Sequence, residues 1–170
     1  VNDYGTMNLI SGNQNITSLS GAGIINLGVN KLYVNNGGTF AGIINGSGTL
    51  DIVQGDFNIS NNITSDNGTL NVSQGTTTIA TIATVIIPDI NVNNGGTLDV
   101  AGAVEASNVN VNIGTLNVTG TVEASNVNVN NGTLDVAGTV EASKEVVVQN
   151  GGTLHLGNAT DNVTGTITTA

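Results

Sequence analysis

The chain has 170 residues, of which only 8% are charged and 2% are aromatic, against about 25% charged residues in a typical soluble domain. Its net charge of −10, with Lys31 and Lys144 as the only cations, argues against nucleic acid and anionic membrane surfaces as partners. The absence of Cys excludes disulfides and thiolate metal sites. Asn, Gly and Thr, with 28, 24 and 23 residues, supply the polarity instead, and a 38% apolar content fills a core.

Residues 1–95 carry an irregular repeat. Related segments begin at Gly21 (GAGIINLG), Gly48 (GTLDIVQG) and Gly68 (GTLNVSQG). The next GTL tripeptide begins only at Gly96, and this longer step predicts added loop residues. Residues 79–90, with Pro88, are the least regular segment, and we expect a protruding loop or a distorted rung there.

Residues 96–170 carry a regular repeat. Units begin at Gly96 (GTLDVAGAVEASNVNVNI), Gly114 (GTLNVTGTVEASNVNVNN) and Gly132 (GTLDVAGTVEASKEVVVQNG). A fourth unit opens at Gly152 and then departs from the pattern. The nearly constant spacing of these starts is typical of solenoid proteins, and we interpret residues 1–170 as one solenoid domain.

Apolar and polar residues alternate within each regular unit, which is the period of a strand. Each unit is therefore predicted to hold three short strands separated by three corners. In the first unit the inward residues are Leu98, Val100, Val104, Ala106, Val109 and Val111, and the corners are Ala101-Gly102, Ser107 and Ile113-Gly114.

Three short strands in each unit of about 18–20 residues predict an all-β fold, a single-stranded parallel β-helix (β-solenoid). Stacking at about 4.8 Å places Leu98, Leu116, Leu134 and Leu154 in one inward column, and Val104, Val122 and Val140 in another. A left-handed β-helix repeats an aliphatic residue every six positions, and Asn110 and Asn128 break that spacing. We therefore favour the right-handed form.

Two sequence features resemble the passenger region of bacterial autotransporters, the secreted part of type V secretion systems. The stretch from Asn36 to Ile52, NGGTFAGIINGSGTLDI, resembles the passenger-associated repeat, and the GTLDVAG units are similar to rickettsial surface antigens. The resemblance implies a right-handed β-helix on the bacterial surface or released from it, serving adhesion, invasion or surface coating.

Glu105, Glu123 and Glu141 fall at the same point of successive units, so they should form an outward column. Such a column is a weak candidate for binding Ca²⁺ or another cation, with Asp99 and Asp135 one strand away. Calcium requires six or more converging oxygens, whereas outward columns diverge, so we interpret the Glu column as a solvated surface and predict no metal or cofactor.

The main competing interpretation is an enzyme, because β-helices include polysaccharide lyases and glycosidases. A glycosidase needs two carboxylates about 5–10 Å apart, and twelve acids supply such pairs by chance. Sugar sites usually add aromatic platforms, however, and the four aromatic residues (Tyr4, Tyr33, Phe40 and Phe57) lie outside the regular repeat. His155 is the only histidine, so no catalytic triad can be assembled. We predict no catalytic residues.

Columns of Asn at positions 108 and 126, 110 and 128, and 112 and 130 are expected to hydrogen-bond along the stack. The sequence thus predicts a non-enzymatic, extracellular structural or adhesive β-solenoid of a bacterial surface or secreted protein. Its expected partners are a host-cell receptor or copies of itself. The alternative is a self-assembling filament or surface-layer subunit, because the alternating stretch from Thr164 to Ala170 offers an edge for pairing.

Overall fold

The computed structural model describes residues 1–65, 67–157 and 162–169, and this part of the chain consists of strands, turns and bends. None of it forms a helix with the length and apolar character that a membrane crossing requires. The strands are β1 Asn2–Asp3, β2 Thr6–Asn8, β3 Gln14–Ile16, β4 Leu19–Gly21, β5 Ile24–Gly28, β6 Lys31–Val34, β7 Gly38–Phe40, β8 Ile43–Gly46, β9 Thr49–Ile52, β10 Phe57–Ile59, β11 Ile63–Thr64, β12 Thr69–Val72, β13 Thr76–Ile79, β14 Thr84–Ile86, β15 Asp89–Asn93, β16 Thr97–Val100, β17 Ala103–Asn112, β18 Thr115–Val118, β19 Thr121–Asn130, β20 Thr133–Val136, β21 Thr139–Gln149, β22 Thr153–Leu156 and β23 Asn162–Thr169.

The strands stack in parallel into a β-solenoid of about nine turns, each of roughly 19 residues. Its first face is the nine-stranded sheet β1-β4-β7-β10-β13-β16-β18-β20-β22. The second face comprises β2, β5, β8, β11, β14 and the opening residues of β17, β19, β21 and β23. The third face comprises β3, β6, β9, β12, β15 and the closing residues of those same long strands. The predicted β-helix is confirmed, and its right-handedness stays a prediction.

The predicted register of the regular units is confirmed. Leu98 pairs with Leu116, Leu116 with Leu134, and Leu134 with Leu154. On the second face, Val104, Val122 and Val140 stack in the same way. The corner at Ser107 turns the chain without ending the strand, so β17 runs continuously where two strands were predicted.

The last strand, β23, contains most of the predicted edge stretch. It pairs with β21 and includes the alternating residues from Thr164 to Thr169. Ala170, the last residue of that stretch, lies outside the described residues. Pairing of this edge with another copy of the chain stays a prediction.

The GTL tripeptide lies on a different face in the irregular half than in the regular half. Thr49–Ile52 and Thr69–Val72 pair with each other on the third face, where Thr69–Val72 also pairs with β15. The GTL tripeptide at Gly96 instead opens the first face. Most of the long step from Gly68 to Gly96 is therefore a change of face, and the predicted added loop residues are limited to the longer corner from Ala80 to Ala83.

The least regular segment, residues 79–90, forms most of an ordinary rung. Ile79, Val85, Ile87 and Ile90 are all buried in the core. The corner from Ala80 to Ala83 is two residues longer than the corner at Ala101-Gly102, and it exposes Ile82. The predicted protruding loop is thus reduced to one longer corner.

The core is one cluster of inward aliphatic side chains from Leu9 to Val148, with two phenylalanines among them. Phe57 pairs with Gly38 one rung earlier, and Phe40 pairs with Gly21. A Cβ at Gly38 would collide with the Leu19 carbonyl oxygen, so this position in the stack requires glycine. Thr77 occupies the inward column between Phe57 and Leu98, and its buried hydroxyl has no hydrogen-bond partner.

Candidate functional site

The predicted Glu column exists and lies on the second face. Glu105 pairs with Glu123, and Glu123 pairs with Glu141. At the same stacked position, Ile86 lies one rung before Glu105, and Thr164 lies one rung after Glu141. All three carboxylates are exposed, and two unit charges at the rung spacing repel by about 0.9 kcal/mol in water. The column is therefore a repelling row of solvated charges.

A shallow groove of about 400 Å³ follows this column along the corner between the second and third faces. Its lining repeats the tripeptide Glu-Ala-Ser in two successive rungs, from Glu123 to Ser125 and from Glu141 to Ser143. A second depression of about 310 Å³ shares Glu105 and extends the groove to Pro88 and Ser65. The groove is open and follows the axis of the solenoid.

The groove does not gather the other predicted ligands. Within residues 1–65, 67–157 and 162–169, no three His, Cys, Asp or Glu side chains converge as a metal site would require. Asp99 and Asp135 lie on the first face, where the amide of Asn117 donates to Asp99 over 2.7 Å. They are thus separated from the Glu column by the corner at Ala101-Gly102.

His155 ends the first-face column that contains Asp99, Asn117 and Asp135. Its Nδ1 lies 3.1 Å from Asp135 Oδ1, and both side chains are about half exposed or more. The neighbouring outward residues of this face are Thr133 and Thr153, at the starts of β20 and β22. Asp135 orients the imidazole of His155, and this exposed pair lies on the flat sheet of the first face.

Asparagine side chains form hydrogen-bonded ladders along the outward surface. The longest follows the third face from Asp51 through Asn71, Asn91 and Asn110 to Asn128, with bond lengths of 3.5, 2.9, 2.9 and 2.8 Å. A parallel ladder links Asp89, Asn108 and Asn126. The predicted bonds at 108–126 and 110–128 are confirmed. Asn112 and Asn130 stack in register, but Asn112 donates to Asn93, and Asn130 accepts from Asn150.

These ladders all have the same direction. Among the described residues, eleven side-chain bonds join an Asn amide to an Asn or Asp oxygen, and in each the Nδ2 belongs to the later rung and the acceptor to the earlier rung. Asp51, Asp89 and Asp99 each begin a ladder, where the position requires only an acceptor. An ionised carboxylate is acceptor-only, so an acid suits the first position and an amide suits each later one.

The four aromatic residues separate into two groups. Phe40 and Phe57 are fully buried, whereas Tyr4 is 80% exposed beside the first rung. Tyr33 lies on the third face, one rung before Asp51 and therefore at the foot of the longest ladder. Sequence reasoning missed this position because the register of the irregular half was not readable. The outward position of Tyr33 in the alternating Lys31–Val34 strand was the available signal.

Comparisons of this chain with family models, with curated proteins and with solved structures gave no match.

Proposed function

We propose that this β-solenoid is a non-enzymatic structural and adhesive module of a bacterial surface or secreted protein. The observation that carries the proposal is the set of codirectional Asn ladders, the longest of which follows the third face of a continuously hydrogen-bonded stack. The sequence resemblance of Asn36 to Ile52 to autotransporter passengers supports the bacterial surface, and this stretch forms one complete rung of three strands.

The geometry supports a mechanical and adhesive role through repetition. Each rung is held by backbone bonds to both neighbours, and its outward amides are tied to the next rung, so neighbouring contact groups are held at fixed spacing. A surface that repeats one weak contact at every rung gains avidity when several rungs engage together. Rigidity lowers the entropy lost on binding, because the contact groups are already in place.

The arrangement of the acids supports a role without catalysis. Glycosidase chemistry requires two carboxyl groups in different environments, one acting as the acid and the other as nucleophile or base. The Glu column instead presents exposed copies of one side chain, and the residues around Glu105 and Glu123 are nearly identical in sequence. Two groups in such similar surroundings do not divide into an acid and a base.

Adhesion is tested with fluorescent beads coated with the purified chain and incubated with cultured epithelial cells. We expect cell-associated beads well above albumin-coated beads, and displacement by excess soluble chain. A second set of beads carries a variant in which Asn91, Asn110 and Asn128 are replaced by Asp, which charges the third face and removes the donors of its ladder, and these beads should attach less than beads coated with the parent chain. Equal attachment of chain-coated and albumin-coated beads would contradict the adhesive role.

The proposed location is tested separately in the cells that produce the protein. An antibody against the chain should label intact cells or the culture medium, and protease added to intact cells should remove the cell-bound signal. A signal that appears only after lysis would contradict a surface or secreted location, whatever the bead assay shows.

A further inference from the structure

The longest asparagine ladder begins beside an aromatic ring. Tyr33 pairs with Asp51 on the following rung and with Asn15 on the preceding one. Its side chain is at an outward position and is nevertheless half-buried, so the neighbouring side chains cover part of it. The third face therefore carries, in one straight column, an aromatic ring, a carboxylate and four amides from Asn71 to Asn128.

The amides of this column keep unused hydrogen-bonding capacity. An Asn side chain has two N–H donors and an oxygen with two lone pairs. Within the ladder, Asn91 uses one N–H towards Asn71 and one lone pair towards Asn110, which leaves one donor and one acceptor for a ligand. Asp51 is held by the hydroxyl of Ser73 at 2.9 Å and by Asn71 at 3.5 Å, and further lone pairs of its carboxylate remain.

The chemistry of this column matches a neutral sugar polymer. Sugar hydroxyls both donate and accept, as the spare amide groups do, and the C–H face of a sugar ring packs on the electron-rich face of an aromatic ring. The amides repeat at about 4.8 Å, which is close to the length of one sugar ring in an extended chain. A net charge of −10 disfavours an anionic glycan.

An extended peptide matches the column less well. Its side chains on one face repeat every two residues, which is about 6.7 Å, so they fall out of step with rungs at about 4.8 Å. We propose that the third face binds an extended neutral glycan along the solenoid axis, with one ring on Tyr33 and the following rings on Asp51, Asn71 and Asn91. This inference rests on the proposed surface role, because it names the ligand class of that surface.

The test uses the full chain and cellohexaose, a neutral hexasaccharide, with hexagalacturonate and hexalysine as charged comparisons. Binding is followed by two-dimensional ¹H–¹⁵N NMR, in which the Asn side-chain amides are directly visible. We expect saturable shifts of the third-face amides with cellohexaose at concentrations up to about 10 mM, the range in which millimolar affinities saturate. The charged oligomers should leave these amides unchanged.

Three variants separate the site from the rest of the surface. Tyr33→Ala should weaken binding about tenfold, as expected when an aromatic anchor is truncated, and Tyr33→Phe should retain it because the ring remains. Tyr4→Ala, which removes the other tyrosine of the chain, is the matched control and should bind normally. An unchanged spectrum for each variant away from its substitution shows that the fold is intact.

The outcomes distinguish this inference from the proposed function. Absence of saturable amide shifts, or equal binding by the parent and Tyr33→Ala, overturns the glycan site even if coated beads still attach to cells. Binding of hexalysine in place of cellohexaose overturns it in favour of a cationic peptide. Glycan binding that Tyr33→Ala weakens supports the site, and bead attachment then decides the adhesive role independently.

Discussion

Ile113 occupies a backbone conformation that its side chain disfavours. Its φ is +59°, whereas the equivalent corner positions with φ between +50° and +54° hold Asn94, Asn131 and Asn150. A left-handed conformation costs about 1–2 kcal/mol for an ordinary L-residue and less for Asn. The side chain of Ile113 is 58% exposed, so packing against the core offsets little of that cost.

Ile113→Asn is therefore expected to stabilise the protein, raising the free energy of unfolding by about 1 kcal/mol. For a chain of this size the melting temperature should rise by about 2–4 °C per kcal/mol. Urea titrations followed by circular dichroism measure the change. The reciprocal substitution Asn131→Ile should lower stability by a similar amount.

Ile82→Asn provides the control for loss of an exposed isoleucine, since Ile82 lies at a corner and has no positive φ. It should change stability by less than about 0.5 kcal/mol. Equal effects at positions 82 and 113 would show that surface apolarity, and not the backbone conformation, accounts for the gain.

At the scale of the strand, the hydrogen bonds of the ladders all run in one direction along the outward surface. In three ladders the sequence encodes this direction by placing an acid at the first position. The column from Asp51 to Asn128 starts with an acceptor and ends where Asn128 meets Val147 on β21. Asn128 Oδ1 would accept a donor from the next rung, and Val147 has none. One hydrogen bond contributes about 0.5–1.5 kcal/mol net to the free energy of unfolding. A side-chain amide at position 147 would add this contribution by donating to Asn128.

We predict that Val147→Asn is more stable than Val147→Asp by about 1 kcal/mol or more, because only Asn can donate to Asn128. The two variants have the same size and similar strand propensity, so their difference isolates the donor. At the start of the ladder, Asp51→Asn should be neutral within about 0.5 kcal/mol, since either side chain accepts.

Urea unfolding in about 1 M NaCl screens the charge that Asp adds beside Glu145. The outward assignment is checked with Val146→Asn, which places an amide on the core side and should cost about 2 kcal/mol or more. If Asn and Asp are equally stable at position 147, the ladder has no preferred direction there.

The sequence predicted the regular half of the fold nearly residue by residue. The near identity of successive units places Leu98, Val104 and Asn110 over their copies, and alternation decides which side of the sheet each one faces. The sequence did not reveal that GTL opens a different face in the irregular half, because a tripeptide suited to opening one strand suits another equally well. Register there depends on contacts such as Phe57 over Gly38, which have no sequence repeat.

The candidate site shows the same difference between the regular and the irregular half. The Glu column and the three Asn columns follow from identical units, so the sequence placed them correctly, although only two of the three predicted Asn–Asn bonds form. Tyr33 belongs to the irregular half, and its position beside Asp51 depends on the pairing of β6 with β9. A single aromatic residue leaves no periodic signal, so its place on the third face needed the structure.

At the scale of the whole molecule, the solenoid is close to one-dimensional, since each rung contacts mainly the rungs before and after it. The interface between the units at Gly96 and Gly114 has the same register as that between Gly114 and Gly132. The Glu and Val columns of the second face continue across both interfaces. A complete unit is therefore removable in principle, whereas part of a unit is not.

Deleting residues 114–131 should leave a folded, cooperatively melting solenoid that is shorter by one of its roughly nine turns. Ile113 then precedes Gly132, and Leu98 pairs with Leu134 in the register that Leu116 occupied. The dependence of unfolding free energy on urea should fall by about one ninth, because that slope scales with the surface exposed on unfolding. Circular dichroism and urea titration measure both the cooperativity and the slope.

The matched control deletes only residues 114–122, which removes half as many residues but omits a whole first-face strand. The inward columns on either side of this shorter deletion no longer meet, because a whole rung is needed to restore the register of Leu98 and Val104 with the units that follow. The shorter deletion should therefore be less stable than the complete one and should melt over a broader range. Equal stability of the two deletions would show that stacking register does not hold the molecule together.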